Sequence, residues 1–199
     1  MKNHNVRFIL DTSFLMESEM EKCLQNELLP IVRSTNKRLA IPKQVIHELD
    51  KHQHNIQQRK KHLAKNALKV IKKHLQDWFE LFGEYNDADY TDHLLNTLAV
   101  RYAPSKNLIF VTQDKELTRD LYKLQQARSF RFHMPLVVRL EPHHGHIESW
   151  NATQYGKIRL SKKREHYICP HCHYEYELNA TFLKYLEKHH ISACPKCNS

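Results

Sequence analysis

Four carboxylates fall where a folded chain could gather them: Asp11, Glu48, Asp92 and Asp114. Asp11 closes the apolar run Val6-Arg7-Phe8-Ile9-Leu10, and Asp114 follows a second run, Leu108-Ile109-Phe110-Val111-Thr112. Glu48 is flanked by Val45 and Leu49 in a helical pattern, about 200° around the wheel from Asp50. Asp92 opens a helical run after Thr91. Each has an ordinary structural reading, including helix capping for Asp11 and the favourable end of a helix dipole for Asp92. Gathered at one place, four carboxylates would raise one another's pKa unless a cation sat among them. Mg²⁺ or Mn²⁺, which favour hard oxygen ligands, would neutralise them. Such ions activate a water and stabilise charge developing on a phosphodiester oxygen.

A second constellation is Cys169-Pro170-His171-Cys172 and Cys194-Pro195-Lys196-Cys197, with 21 residues between the pairs. Two such knuckles in a short segment with little core of its own predict a Cys₄ Zn²⁺ site, whose thiolate ligation would supply folding energy. A lone pair could serve redox chemistry; two argue for metal. His171, His173, His189 and His190 are alternative ligands that a Cys₄ site does not need. Cys23, the fifth cysteine, reads as a small apolar residue on a helix.

A third pattern is positive charge. The chain of 199 residues carries a formal charge of +9, and its 16 histidines add more below neutrality. From Lys51 to Leu75 there are eight Lys/Arg and no acid. Lys61, Lys65, Lys69 and Lys73 stack at i, i+4, an arrangement that destabilises an isolated helix slightly and suits contact with a phosphate backbone; a solvated face is the plainer reading. Ile56, Leu63, Ala67, Val70 and Ile71 supply the apolar stripe. Lys162, Lys163 and Arg164 form another basic cluster. Three glycines (Gly83, Gly145 and Gly156) rule out a P-loop or a dinucleotide-binding turn. No apolar stretch is long enough to span a bilayer and no leader pattern opens the chain, so a cytoplasmic protein with no membrane partner is expected.

The elements that must position these groups follow from the apolar patterning. Strands are expected at 6–10, 38–41, 108–112 and, last, 130–140, with Pro135 at a bulge or edge. Helices are expected at 13–29 (ending at Pro30), from Lys43 beyond Asp50, over the basic stretch, from Thr91 as cap to Val100, and from Lys115 to about Gln126. Thr12 and Ser13 offer N-caps after Asp11. Trp78, Phe79, Leu81, Phe82 and Tyr85 form a core-building aromatic cluster. The alternation predicts a three-layer α/β/α domain with a central parallel sheet, with two strands delivering acids to its carboxyl edge.

In these pieces the chain resembles the PIN-domain nucleases. They are Phe8-Ile9-Leu10-Asp11-Thr12-Ser13, Ile41-Pro42 through Leu49, Asp92-His93-Leu94-Leu95 through Ala99, and Val111-Thr112-Gln113-Asp114, in the family's order. The resemblance implies a metal-dependent nuclease acting on single strands, usually RNA. It implies Asp11, Glu48, Asp92 and Asp114 as Mg²⁺ or Mn²⁺ ligands, with Thr12, Ser13, Thr112 and Asp89 assisting; Asp89 is also an alternative third acid. The expected organisation is a PIN-like domain over 1–140, a basic connector over 141–165 and a zinc ribbon over 166–199. Trp150 and Tyr155 in the connector could pack or stack on bases; so could the ribbon's Tyr167, Tyr174, Tyr176, Phe182 and Tyr185. A PIN domain joined to a zinc ribbon is similar in architecture to the archaeal and eukaryotic endonucleases that mature small-subunit ribosomal RNA, a likeness that assigns no substrate. The function expected is an endoribonuclease, as a monomer or a homodimer. Its rivals are a toxin-type ribonuclease held by an antitoxin, a flap-type DNA nuclease and a non-catalytic RNA-binding platform.

Overall fold

In the computed structural model, residues 6–35, 37–85, 90–102, 105–124, 136–141, 143–152, 157–192 and 194–197 are described. Five strands run parallel: β1 (Val6–Leu10), β2 (Leu39–Pro42), β3 (Phe79–Phe82), β4 (Asn107–Val111) and β5 (Leu136–Leu140). Two antiparallel strands, β6 (Ile147–Ala152) and β7 (Ile158–Ser161), complete a sheet of order β3-β2-β1-β4-β5-β6-β7. From β1 the chain winds one way to β2 and β3, then crosses over to β4 and β5. The reversal falls between β1 and β4, and open α/β sheets form their crevice at the carboxyl ends of such a pair.

Alternation along the strands builds two cores. Val6, Phe8, Leu10, Ile109, Val111 and Val138 face the helices α1 (Thr12–Leu15), α2 (Met20–Cys23), α3 (Leu29–Ser34), α4 (Lys43–Gln53) and α5 (Gln58–His74). Ile9, Leu108, Phe110 and Val137 face α6 (Thr91–Tyr102) and α7 (Lys115–Lys123) through Leu95, Ala99, Leu117 and Leu121. This is the expected α/β/α layering. No helix of the described residues is long and apolar enough to cross a membrane.

Several elements differ from the sequence reading. The first helical stretch does not end at Pro30. Leu24–Leu28 form a π-helical turn and α3 carries Pro30 in its first turn, buried. Proline lacks an N–H and its ring collides with the carbonyl four residues back, and the wider π turn relieves both problems. Cys23 is buried in this layer, as its apolar reading requires. The aromatic cluster is an edge strand: Phe79 is buried and Leu81 and Phe82 are half-buried on β3. Ile56 is not in the apolar stripe but lies ahead of α5, 95% exposed. Residues 130–135, including Pro135, and Tyr155 lie outside the described residues.

The strand at 136–140 is not the last, because the basic stretch 141–165 adds β6 and β7 to the same sheet. Trp150 packs rather than stands free: it is buried with the α6–α7 core, its ring 5.5 Å from the Arg139 guanidinium. The C-terminal hairpin of β8 (Arg164–Ile168) and β9 (Glu175–Asn179) is a separate two-stranded sheet followed by α8 (Ala180–Lys188). Phe182, Leu183 and Leu186 of α8 join the main core, with Phe182 edge-on to Phe8 at 6.2 Å. Buried Asn179 caps α8 by accepting from Thr181 and Phe182 N–H, and its oxygen also accepts from Ser149 Oγ. Glu27, buried in the π turn, accepts from Arg164 Nη2 (2.7 Å), Ile147 N–H (2.9 Å) and His146 Nδ1 (2.8 Å).

Candidate active site and cysteine cage

Parallel pairing in register brings Leu10 beside Val111, so Asp11 and Thr112 emerge side by side at the reversal crevice. Asp11 N–H donates to the Val111 carbonyl at 3.1 Å, extending the ladder by one residue. Asp11 itself is the N-cap of α1, taking the role that Thr12 and Ser13 offered. Its Oδ2 accepts from Thr112 Oγ1 at 2.7 Å, from Ser13 N–H at 3.3 Å and from Ser13 Oγ in a short contact. The carboxyl is buried, and burial raises its pKa; the Ser13 and Thr112 hydrogen bonds oppose that rise, and the Glu48 charge adds to it.

Glu48 is fixed in the same one-sided way. Oε2 accepts from Thr12 Oγ1 at 2.7 Å and from Thr91 Oγ1 at 2.6 Å, while Oε1 faces His52 Nε2 at 3.6 Å. Thr91, expected as a cap, lies inside the first turn of α6. There Leu94 N–H bonds the Tyr90 carbonyl, and the Thr91 side chain reaches across to α4 instead. Asp114 caps α7, its Oδ1 accepting from Glu116 N–H (2.6 Å) and Leu117 N–H (2.9 Å). Its own N–H donates to Thr112 Oγ1 at 3.0 Å, so one buried hydroxyl holds both the first and the fourth acid. Asp92, in the first turn of α6, completes the group at the exposed rim. Partial burial and then the charges of Asp11, Asp114 and Glu48 push its pKa up to about 6. Asp89 lies outside the described residues.

All four acids line one cleft of about 510 Å³, together with Glu17, with His52 from the end of α4 and with Gln57, Arg59, Lys60 and Leu63 from the start of α5. Arg59 and Lys60 belong to the basic run, yet the i, i+4 ladder pointed past them. Their approach to the acids depends on how α5 folds back on α4. Lys65, Lys69 and Lys73 are exposed along the same helix, and Lys61 is half-buried. Lys162 and Lys163 are exposed but near acids, Lys162 3.5 Å from Glu148 and Lys163 3.5 Å from Glu165. Arg164 is turned toward Glu27 and the Glu177 carbonyl, so its guanidinium has structural partners.

The donor chemistry fits a divalent cation. Hydrogen bonds hold Oδ2 of Asp11, Oε2 of Glu48 and Oδ1 of Asp114 in place, and the carboxylates are the hard oxygen donors that such an ion takes. Mg²⁺ keeps much of its water and takes one or two carboxylates plus substrate phosphates, so it needs no closed protein cage. None is built: among the described residues, only the four cysteines form a group of three or more ligands within 4.8 Å of one another. Cys169 and Cys197 Sγ are 3.5 Å apart, and Cys172 and Cys194 Sγ 3.6 Å. Thiolates about 2.3 Å from a tetrahedral Zn²⁺ would be separated by similar distances, so this set could hold that ion. His173 takes a positive φ of 54° as the knuckle turns after Cys172.

The three-layer α/β/α fold brings four acids from four elements around one cleft at the strand reversal. The PIN domain family model matches residues 8–120, and the chain belongs to that family of nucleases. A solved structure of the PIN domain endonuclease Utp24 superposes with a TM-score of 0.50 at 16% identity, covering 80% of this chain and 94% of that one. At that identity the likeness concerns the fold. No curated protein matches the chain.

Proposed function

We propose that this PIN-domain protein is a divalent-metal-dependent endoribonuclease that cuts single-stranded RNA. The observation that carries the reading is the cleft itself, lined by Asp11, Glu48, Asp92 and Asp114 together with Arg59 and Lys60. Mg²⁺ or Mn²⁺ held by the four acids would supply an activated water and neutralise charge on the phosphate during in-line displacement. The chain's own residues do the rest. Ser13 and Thr112 fix Asp11, and Thr12 and Thr91 fix Glu48, so each carboxylate meets its cation without reorganising. Arg59 and Lys60 attract and orient the phosphodiester backbone against the acids. Thr112 keeps Asp114 in register with Asp11. The Cys₄ set would hold Zn²⁺ structurally, and the basic face of α5 with the ribbon would hold the RNA.

The test compares wild-type and Asp11→Asn protein, purified in parallel, with single-stranded RNA, single-stranded DNA and duplex RNA in Mg²⁺ or Mn²⁺. Internal cuts in single-stranded RNA that fall about 10³-fold or more in the variant are expected. Equal cleavage by the two preparations would point to a contaminant and end the reading. Preference for DNA would reassign the substrate.

A further inference from the structure

A second cleft, of about 540 Å³, lies at the opposite, amino edge of the sheet and is lined by Arg7, Arg33, Lys37, Arg38, Asp77 and Glu80. Arg7 is the second residue of β1, and Lys37 and Arg38 precede β2, so the four residues from Arg7 to Asp11 separate this cleft from the acids by about 13 Å. Arg33, Lys37 and Arg38 are exposed, and Glu80 pairs with Arg7. Cations therefore exceed acids, and Lys106 adds to them. The Lys37 ammonium is held below its ordinary range by partial burial and then by Arg7 and Lys106, against the opposing pull of Glu80.

Two neighbours give the cleft a direction. The first is α5, which starts beside the acids with Arg59 and Lys60 and carries Lys65, Lys69 and Lys73 along its length, about 25 Å for its 17 residues. Just past its end, the Gln76 carbonyl accepts from Arg38 Nη1 at 3.2 Å. The lysine ladder therefore runs from the catalytic edge to the rim of the second cleft. The second neighbour is the cysteine cage. Ser34, adjacent to Arg33, donates from Oγ to the Ser192 carbonyl at 2.9 Å, two residues before Cys194. The cage thus borders this edge rather than the acids.

Building on the nuclease reading, we infer that the Arg7–Arg33–Lys37–Arg38 cleft is a second phosphate-binding site, an exosite that takes the backbone of the same nucleic acid after it has followed α5 away from the acids. Three exposed cations beside the Arg7–Glu80 ion pair in a concave surface suit successive phosphodiesters, and stacking on bases needs aromatic rings that this lining lacks.

The test measures binding without divalent cations, to prevent cleavage, of single-stranded RNAs of about 6 and about 20 nucleotides. The full-length protein is compared with an Arg33→Glu/Lys37→Glu variant and a charge-preserving Arg33→Lys/Lys37→Arg variant. The double reversal is expected to weaken the longer RNA about tenfold or more and to flatten its log K against log[salt] slope by about 1.4, while the short RNA binds as to wild type and, in a parallel assay with Mg²⁺, is cut as by wild type. The charge-preserving variant should bind both like wild type. Unchanged affinity of the reversal variant for the longer RNA overturns the exosite, and so does an equal loss for both lengths. It is also overturned if wild type captures inorganic phosphate in a manner the reversal variant loses while its RNA affinity stays intact, since the cleft would then serve a free anion. Absence of any RNA binding by wild type overturns the exosite and the nuclease reading together, whereas intact cleavage with length-independent binding removes the exosite alone.

Discussion

Thr112 Oγ1 donates its only proton to Asp11 Oδ2 at 2.7 Å and accepts the Asp114 N–H at 3.0 Å. Thr112 is fully buried, so both bonds are shielded from water. Valine has the same shape without the hydroxyl. Thr112→Val should destabilise the protein by about 1–3 kcal/mol, the consequence of leaving an N–H and a carboxylate oxygen unsatisfied. It should also weaken metal-supported cleavage about 10- to 100-fold, as loss of a ligand's supporting hydrogen bond does. Urea unfolding and a Mg²⁺ titration of cleavage measure the two effects separately.

Asp92 carries the electrostatic signature of the cluster. Its pKa is raised from 3.8 to about 6 in the folded protein, by partial burial first and neighbouring acids next. A carboxyl with a raised folded pKa binds more protons folded than unfolded between those values. Stability is therefore lost as pH rises from about 4 to about 6, and at neutral pH the ionised group is a liability. Asp92→Asn should raise the melting temperature of chelator-treated protein at pH 7, by an amount worth about 1 kcal/mol or less because the group faces water. Mg²⁺ should raise the wild-type melting temperature more than that of the variant. Below about pH 6, protonation of Asp92 should weaken both that Mg²⁺ effect and cleavage.

Arg59 and Lys60 face the acids without being ligands. Arg59→Ala and Lys60→Ala should raise KM several-fold with little change in kcat if they bind backbone phosphate, and each should flatten the salt slope by about 0.7. A fall in kcat at constant KM would place them in the chemical step instead.

Arg164 makes the contrasting case. Its guanidinium bridges buried Glu27 and the Glu177 carbonyl, tying the π turn to β8. Arg164→Met leaves the Glu27 carboxylate short of a cationic partner and should destabilise by about 3 kcal/mol. The salt dependence of RNA binding should stay that of wild type. Lys163→Met should do the reverse, with stability unchanged to within about 0.5 kcal/mol.

Phe182 of α8 packs on Phe8 of the central strand, so the C-terminal segment shares the nuclease core. Phe182→Ala should lower the stability of the whole chain by about 3–5 kcal/mol. Calorimetry should show one unfolding transition rather than two, and removal of Zn²⁺ by a chelator should lower its midpoint. A separate low-temperature transition in wild type would show that the ribbon unfolds alone.

Four of the sheet's five parallel strands, the cysteine knuckles and the four acids were legible in the sequence because each rests on local pattern: apolar runs of strand length, ligand spacing, and acids at element boundaries. Edge strand β3 was not legible, since four residues of mixed burial show no period of two. Nor were β6 and β7, whose polar residues hid strands that pair only because β5 offers an edge. The π turn follows from fitting buried Pro30 into a helix that the core requires.

The site divides along the same line. The residue types by themselves determined that this chain carries acids able to hold a hard cation and thiolates able to hold a soft one. Only the tertiary structure decided that Thr91 serves Glu48 rather than its own helix, that Arg164 serves Glu27, and that Arg59 lines the cleft. Such choices depend on side chains 43 or 137 residues apart in the chain, as Thr91 and Arg164 are from Glu48 and Glu27. Hydrogen-bond partners so distant are set by how layers pack, and no local pattern encodes them.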